Sequence, residues 1–96
     1  MPKKIQLQHP LGKKAISMEK DKYETLKKAV LNILKTKGES THTEILQSIT
    51  EEFKKNKVKF AGSVEWHLEW VKLDLEAKKE IKRIGKSPVK FTTSNN

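Results

Sequence analysis

No cysteine occurs in the 96 residues. Disulfides and thiolate metal sites are therefore excluded, and a reducing, cytoplasmic setting is the expectation. No apolar run approaches the roughly 20 residues that a membrane-spanning helix needs, and the N-terminus carries no signal-peptide h-region. Neither a membrane partner nor export is expected. The chain also lacks a glycine-rich phosphate loop, a nucleophile motif, and any titratable pair that the pattern forces into a cleft. So small a core leaves little room for a substrate pocket, and the expectation is a protein that is not an enzyme and uses no cofactor. Its histidines, His9, His42 and His67, fall on separate segments with no cysteine to join them, which argues against a metal site.

Positive charge is what the chain has in excess. Lysine and arginine number 21 against 12 aspartates and glutamates, a net charge of +9, and the distribution says more than the sum. Lys3, Lys4, Lys13, Lys14, Lys20 and Lys22 lie near the start, Lys54, Lys55, Lys57 and Lys59 form a second cluster, and Lys82, Arg83, Lys86 and Lys90 a third. Such a balance favours polyanionic partners, although it also keeps a small protein soluble.

The length suits one small domain with a single modest core. Residues 1–17 contain Pro2, Pro10 and Gly12 and read as an extended basic arm with one short strand at most, packed where Ile5, Leu7, Leu11 and Ile16 find partners. Tyr23, Leu26, Val30, Ile33 and Leu34 then follow the spacing of one helix face, and Gly38 supplies a stop. Thr41 to Glu44 is a capping box that opens a second helix with Ile45, Leu46, Ile49 and Phe53 on one side. Val58 and Phe60 suit a short extended piece. Ser63 is an N-cap for a third helix to about Lys79. Strands at about Ile81–Ile84 and Val89–Thr92 follow, and residues 93–96 read as a disordered tail.

The third helix is apolar on two sides. Val64, Leu68, Val71 and Leu75 fall in a stripe about 60° wide at about 100° per residue, while Trp66, Trp70, Leu73 and Ala77 lie opposite. Such a helix is either sandwiched within its own domain or presents one stripe to something outside it.

Three helices closed by a short basic hairpin over about residues 18–92 resemble the winged helix-turn-helix family: mainly α with a small β-hairpin (α+β), three helices plus a C-terminal two-stranded wing. Leu75-Glu76-Ala77-Lys78-Lys79-Glu80-Ile81 resembles its recurrent Leu-Glu-x-x-Gly-Leu-Ile junction between third helix and wing, with Lys79 in place of the glycine. The longer string from Lys4-Ile5-Gln6-Leu7 and His9-Pro10 through Val71-Lys72-Leu73-Asp74-Leu75-Glu76-Ala77 to Lys86-Ser87-Pro88 is similar to a family of short, uncharacterised bacterial winged-helix proteins.

The resemblance implies a DNA-binding, transcription-regulator-like module working mainly through phosphate contacts. Its candidates are Lys82, Arg83, Lys86 and Lys90 on the wing, Lys54, Lys55, Lys57 and Lys59 before the third helix, and His67 on it. The plainer reading of these lysines is solvated surface that keeps a strand edge from aggregating or offsets a helix dipole. The third helix conflicts with groove reading, because the positions matching the exposed face of DNA-reading relatives are His67, Glu69, Trp70 and Asp74. Carboxylates repel phosphates, and the only base readout open to them is accepting from cytosine N4. The alternative is a protein contact, homodimerisation in the first instance, through Trp66, Trp70 and Leu73, where tryptophan serves as an interface anchor. The plain alternative to that is that the arm or the wing covers both tryptophans.

Overall fold

The computed structural model describes residues 3–58, 60, 62–85 and 89–93. In chain order they form β1 (Lys4–Gln6), β2 (Ser17–Glu19), α1 (Lys20–Lys37), β3 (Ser40–Thr41), α2 (His42–Lys55), α3 (Val64–Ala77), β4 (Ile81–Ile84) and β5 (Lys90–Thr93). The fold is α+β, three helices with two small antiparallel sheets.

The helices end where local chemistry stops them. Gly38 takes φ 77° and its N–H donates to the Leu34 carbonyl, closing α1. The capping box that opens α2 is complete: the Glu44 N–H donates to Thr41 Oγ1 at 3.2 Å and the Thr41 N–H to Glu44 Oε1 at 2.8 Å. The bond from the Thr41 backbone holds the Glu44 carboxyl below its usual range. Both later helices finish in a Schellman motif with a lysine, not a glycine, at the left-handed position. Lys57 (φ 55°) donates to the Lys54 carbonyl and Val58 to that of Phe53; Lys79 (φ 62°) donates to Glu76 and Glu80 to Leu75. Each lysine there costs about 1 kcal/mol relative to glycine.

The C-terminal hairpin is present, but its sheet is larger than the two-stranded wing read from sequence. β3, between α1 and α2, pairs with β5 (Ser40 opposite Phe91), so the order is β3-β5-β4. The second hairpin strand runs Lys90–Thr93, one residue later than expected. At the other end of the chain, β1 pairs with β2, a strand not foreseen, with Ile5 opposite Met18. Residues 3–17 are thus folded back on the body. Leu7 and Met18 are buried there, whereas Leu11, expected to pack, is 75 % exposed.

One core joins all these pieces. Leu26 and Val30 of α1, Ile45 and Ile49 of α2, and Leu68, Val71 and Leu75 of α3 have no solvent exposure, and Ile81, Phe91 and Leu7 close it from the sheets. The stripe of α3 read as Val64, Leu68, Val71 and Leu75 is therefore its inward side, with Val64 half-buried at the margin. No helix among the described residues is long and apolar enough to cross a membrane.

Candidate interaction surface on the third helix

Ser63 starts α3 by accepting from the Trp66 N–H at 3.1 Å, so the helix phase is fixed from its first turn. With Leu68, Val71 and Leu75 directed inward, geometry sorts the remaining residues into two edges and an outer stripe.

One edge is Asp74. The helix pattern places it on the exposed face with His67, Glu69 and Trp70, yet it has no solvent exposure at all. Its Oδ1 accepts from the Gln8 N–H at 2.8 Å, and its Oδ2 accepts from the Tyr23 hydroxyl at 2.5 Å and from Lys78 Nζ at 2.9 Å. A buried carboxylate survives only when so provided with donors. Burial, then the bond to Asp74, pushes the Tyr23 phenol up to about 12. Burial alone would lower Lys78, but its bonds to Asp74 and Tyr23 outweigh that and hold it above the usual lysine value. This network is structural: it moors the N-terminal arm and α1 to α3.

The opposite edge carries Glu65, Glu69 and Glu76. His42, at the start of α2, lies 3.5 Å from Glu65 through Nε2; its Nδ1 is 3.1 Å from Glu69 but not aligned as a hydrogen bond. Lys72 is almost wholly buried, with Nζ 3.2 Å from Glu69 and 4.2 Å from the Phe91 ring centroid. Burial lowers its pKa against the opposing pull of Glu69. Arg83, the only arginine in the chain, places Nε 2.6 Å from Glu76 Oε1. The cations closest to α3 are thus already bound to its own carboxylates.

Between the edges runs an outer stripe of Trp66, Trp70, Leu73 and Ala77. Neither arm nor hairpin covers it fully: Trp66 is 49 % exposed, and Trp70, Leu73 and Ala77 are half-buried. The indoles meet edge to face with centroids 6.4 Å apart. Trp66 also stands edge-on to His67 (4.9 Å), and His67 edge-on to Phe60 (5.1 Å), which stacks on Phe53 (5.8 Å). His67 Nδ1 lies 2.7 Å from the Ser63 carbonyl, which assigns the proton to Nδ1. Gly62 sits against this ring at φ +91°, where a Cβ would come within 3.1 Å of His67 Cε1. His67 is therefore a half-buried member of an aromatic row that braces the start of α3.

The lysine candidates are not gathered around α3. Lys54, Lys55 and Lys57 are exposed at the end of α2, Lys82 is exposed on β4, and Lys90 is half-buried on β5. Among the described residues no carboxylate lies within ion-pair distance of any of them. Lys59 and Lys86 lie outside the described residues. No group of three or more histidines or carboxylates among the described residues could hold a metal ion.

The tryptophan-and-carboxylate face was legible from helical periodicity alone. The Asp74 network was not, since two of its three partners, Tyr23 and Gln8, lie 51 and 66 residues away in the chain. Compared with known proteins, residues 4–91 match a family of unknown function, DUF6958. No curated protein and no solved structure matches.

Proposed function

The chain belongs to the DUF6958 family, whose function is unknown, and from its own geometry we propose a non-enzymatic winged helix that binds protein through the outer face of its third helix. The winged-helix reading is supported by the order helix, strand, helix, helix, hairpin, and by the strand between α1 and α2 pairing onto the hairpin in the order β3-β5-β4.

The observation that carries the function is the outer stripe of α3. Trp66 is half exposed beside Trp70 and Leu73, flanked by Glu65 and Glu69, and the nearest cations, Lys72 and Arg83, are held by α3 carboxylates. A duplex groove lined with phosphates repels such a face. A protein surface with an apolar pocket and basic rim matches it, and tryptophan is the residue type most often found as a binding anchor. The test is a photo-crosslinking amino acid at position 66 or 73 in cells. Ultraviolet-dependent protein adducts are the expected result; adducts to nucleic acid alone, or none, would contradict the reading.

A second reading keeps nucleic acid as a partner of other surfaces. Its support is the exposed set Lys54, Lys55, Lys57 and Lys82, which flanks α3 in sequence and has no carboxylate within ion-pair distance among the described residues. With Lys59, Lys86 and Lys90 added, these could neutralise phosphates without base readout. If four to six phosphates are neutralised, log K falls against log salt with a slope of roughly −4 to −5. Lys82→Glu would lower that affinity and Trp66→Ala would not.

A further inference from the structure

We propose that the occupant of the α3 face is a second copy of this chain, joined by reciprocal docking of the arm tip: Leu11, Lys13 and Lys14 of each copy against Trp66 and the Glu65–Glu69 edge of the other. The proposal rests on the reading of α3 as a protein-contact face and names the partner.

The arm tip is built, not slack. The Gly12 N–H donates to the His9 carbonyl at 2.9 Å, closing a four-residue turn with Pro10 second and Gly12 (φ +75°) fourth. Proline at the second position and glycine at the fourth are the residues a type I turn selects. The Leu11 N–H also donates to His9 Nδ1 at 3.1 Å. This turn holds Leu11 outward, the most exposed of the large apolar side chains among the described residues, with exposed Lys13 and Lys14 immediately after it. Neither lysine has a carboxylate within ion-pair distance among the described residues. An apolar tip that is already ordered loses little conformational freedom on docking.

That tip is the chemical complement of the α3 face. One is apolar with two free cations, and the other is apolar with two exposed carboxylates. For both contacts to form at once, each arm tip reaches from the level of Asp74 to that of Glu69 and Trp66, roughly 8–12 Å along the partner helix at about 1.5 Å per residue. The arm is moored to α3 along its Asp74 edge through Gln8, and the carboxylates line the opposite edge. Two α3 helices lying side by side in parallel, related by a twofold axis along their length, bring the arm edge of each beside the carboxylate edge of the other. An antiparallel pair would instead set Glu65 and Glu69 against their own copies. The parallel contact is self-complementary and closes at two.

Sedimentation velocity on charge-reversed chains tests this directly. One chain carries Lys13→Glu and Lys14→Glu, and the other carries Glu65→Lys and Glu69→Lys. The natural chain should dimerise, and each variant alone should dimerise about tenfold or more weakly. An equimolar mixture of the two should recover, because each arm then meets an α3 of opposite sign. Glu69 also holds His42 and Lys72, so the second variant is melted alongside. Should it lose its fold, Leu11→Asp decides: this residue adds nothing to the core, and its change should weaken dimerisation about tenfold without moving the melting temperature. A natural chain that stays monomeric, or a dimer indifferent to Leu11→Asp, overturns the proposal. A monomer that still yields protein adducts from position 66 overturns the dimer but keeps the α3 reading; a monomer with no adducts ends both.

Discussion

Asp74 decides more about this molecule than any other single residue. It is a carboxylate in the core that collects a backbone N–H from the arm, the hydroxyl of Tyr23 and the ammonium of Lys78, so three parts of the chain are tied at one point. Removing the Tyr23 hydroxyl leaves that oxygen short of a donor, and Tyr23→Phe should lower stability by about 1–3 kcal/mol at neutral pH in chemical denaturation. The pH dependence has a definite sign. With its pKa raised from 10.0 to about 12, the folded state keeps a proton that the unfolded chain loses. Tyr23 thus contributes stability below pH 10, and that contribution is lost as pH rises from 10 towards 12. Lys78, raised likewise, adds to the loss, while Lys72, lowered by burial, opposes it. Because Tyr23 is the only tyrosine, tyrosinate absorbance isolates it from both lysines. An ionisation midpoint well above that of free tyrosine is expected, and an ordinary midpoint would contradict the network. Little of this was legible in the sequence. Asp74 lies at the margin of the helix wheel, and a backbone N–H from Gln8 leaves no trace in residue identity.

At the scale of elements, α3 is a helix with two apolar sides of unequal role. The inward side is core, and Leu68→Ala should cost about 2–5 kcal/mol. The outer side is surface, and Trp66→Ala should change stability by less than about 1 kcal/mol, since half of the indole already meets water. Thermal melts of the two variants separate these roles; equal losses would mean that Trp66 belongs to the core. The helix ends give a second check. Lys79 occupies a left-handed position for which glycine is better suited, so Lys79→Gly should stabilise the chain by up to about 1 kcal/mol. Periodicity read all three helices, and the capping box and Ser63 read two of their starts. Lys57 escaped notice, because a lysine in a lysine cluster gives no sign of left-handed backbone. β3 escaped for a similar reason: a strand of two residues has no period to detect, and it exists because β5 offers it an edge.

Across the whole molecule, charge is segregated. The stretch Val64–Ala77 holds four carboxylates and one lysine in a chain whose net charge is +9, so the remainder is strongly basic. Composition alone suggests a polyanion partner, and the placement of the acids on α3 redirects that suggestion away from the helix that would enter a groove. The resemblance read from sequence was informative about element order and silent about this. Leu7, Ile5 and Ile16 of the arm pack as their apolar character suggests, whereas β2 and its pairing with β1 were not legible, because a three-residue strand shows almost no period.

Both tryptophans of the chain lie on α3, so their emission reports on that helix and on whatever touches it. The most direct measurement is a titration of the protein with labelled mixed-sequence duplex DNA at low and moderate salt, following DNA anisotropy and tryptophan emission together. The account predicts an unchanged emission throughout, whether or not the lysine clusters raise the anisotropy at low salt. Salt-sensitive binding accompanied by tryptophan quenching, and lost in Trp66→Ala, would contradict it and return α3 to the duplex.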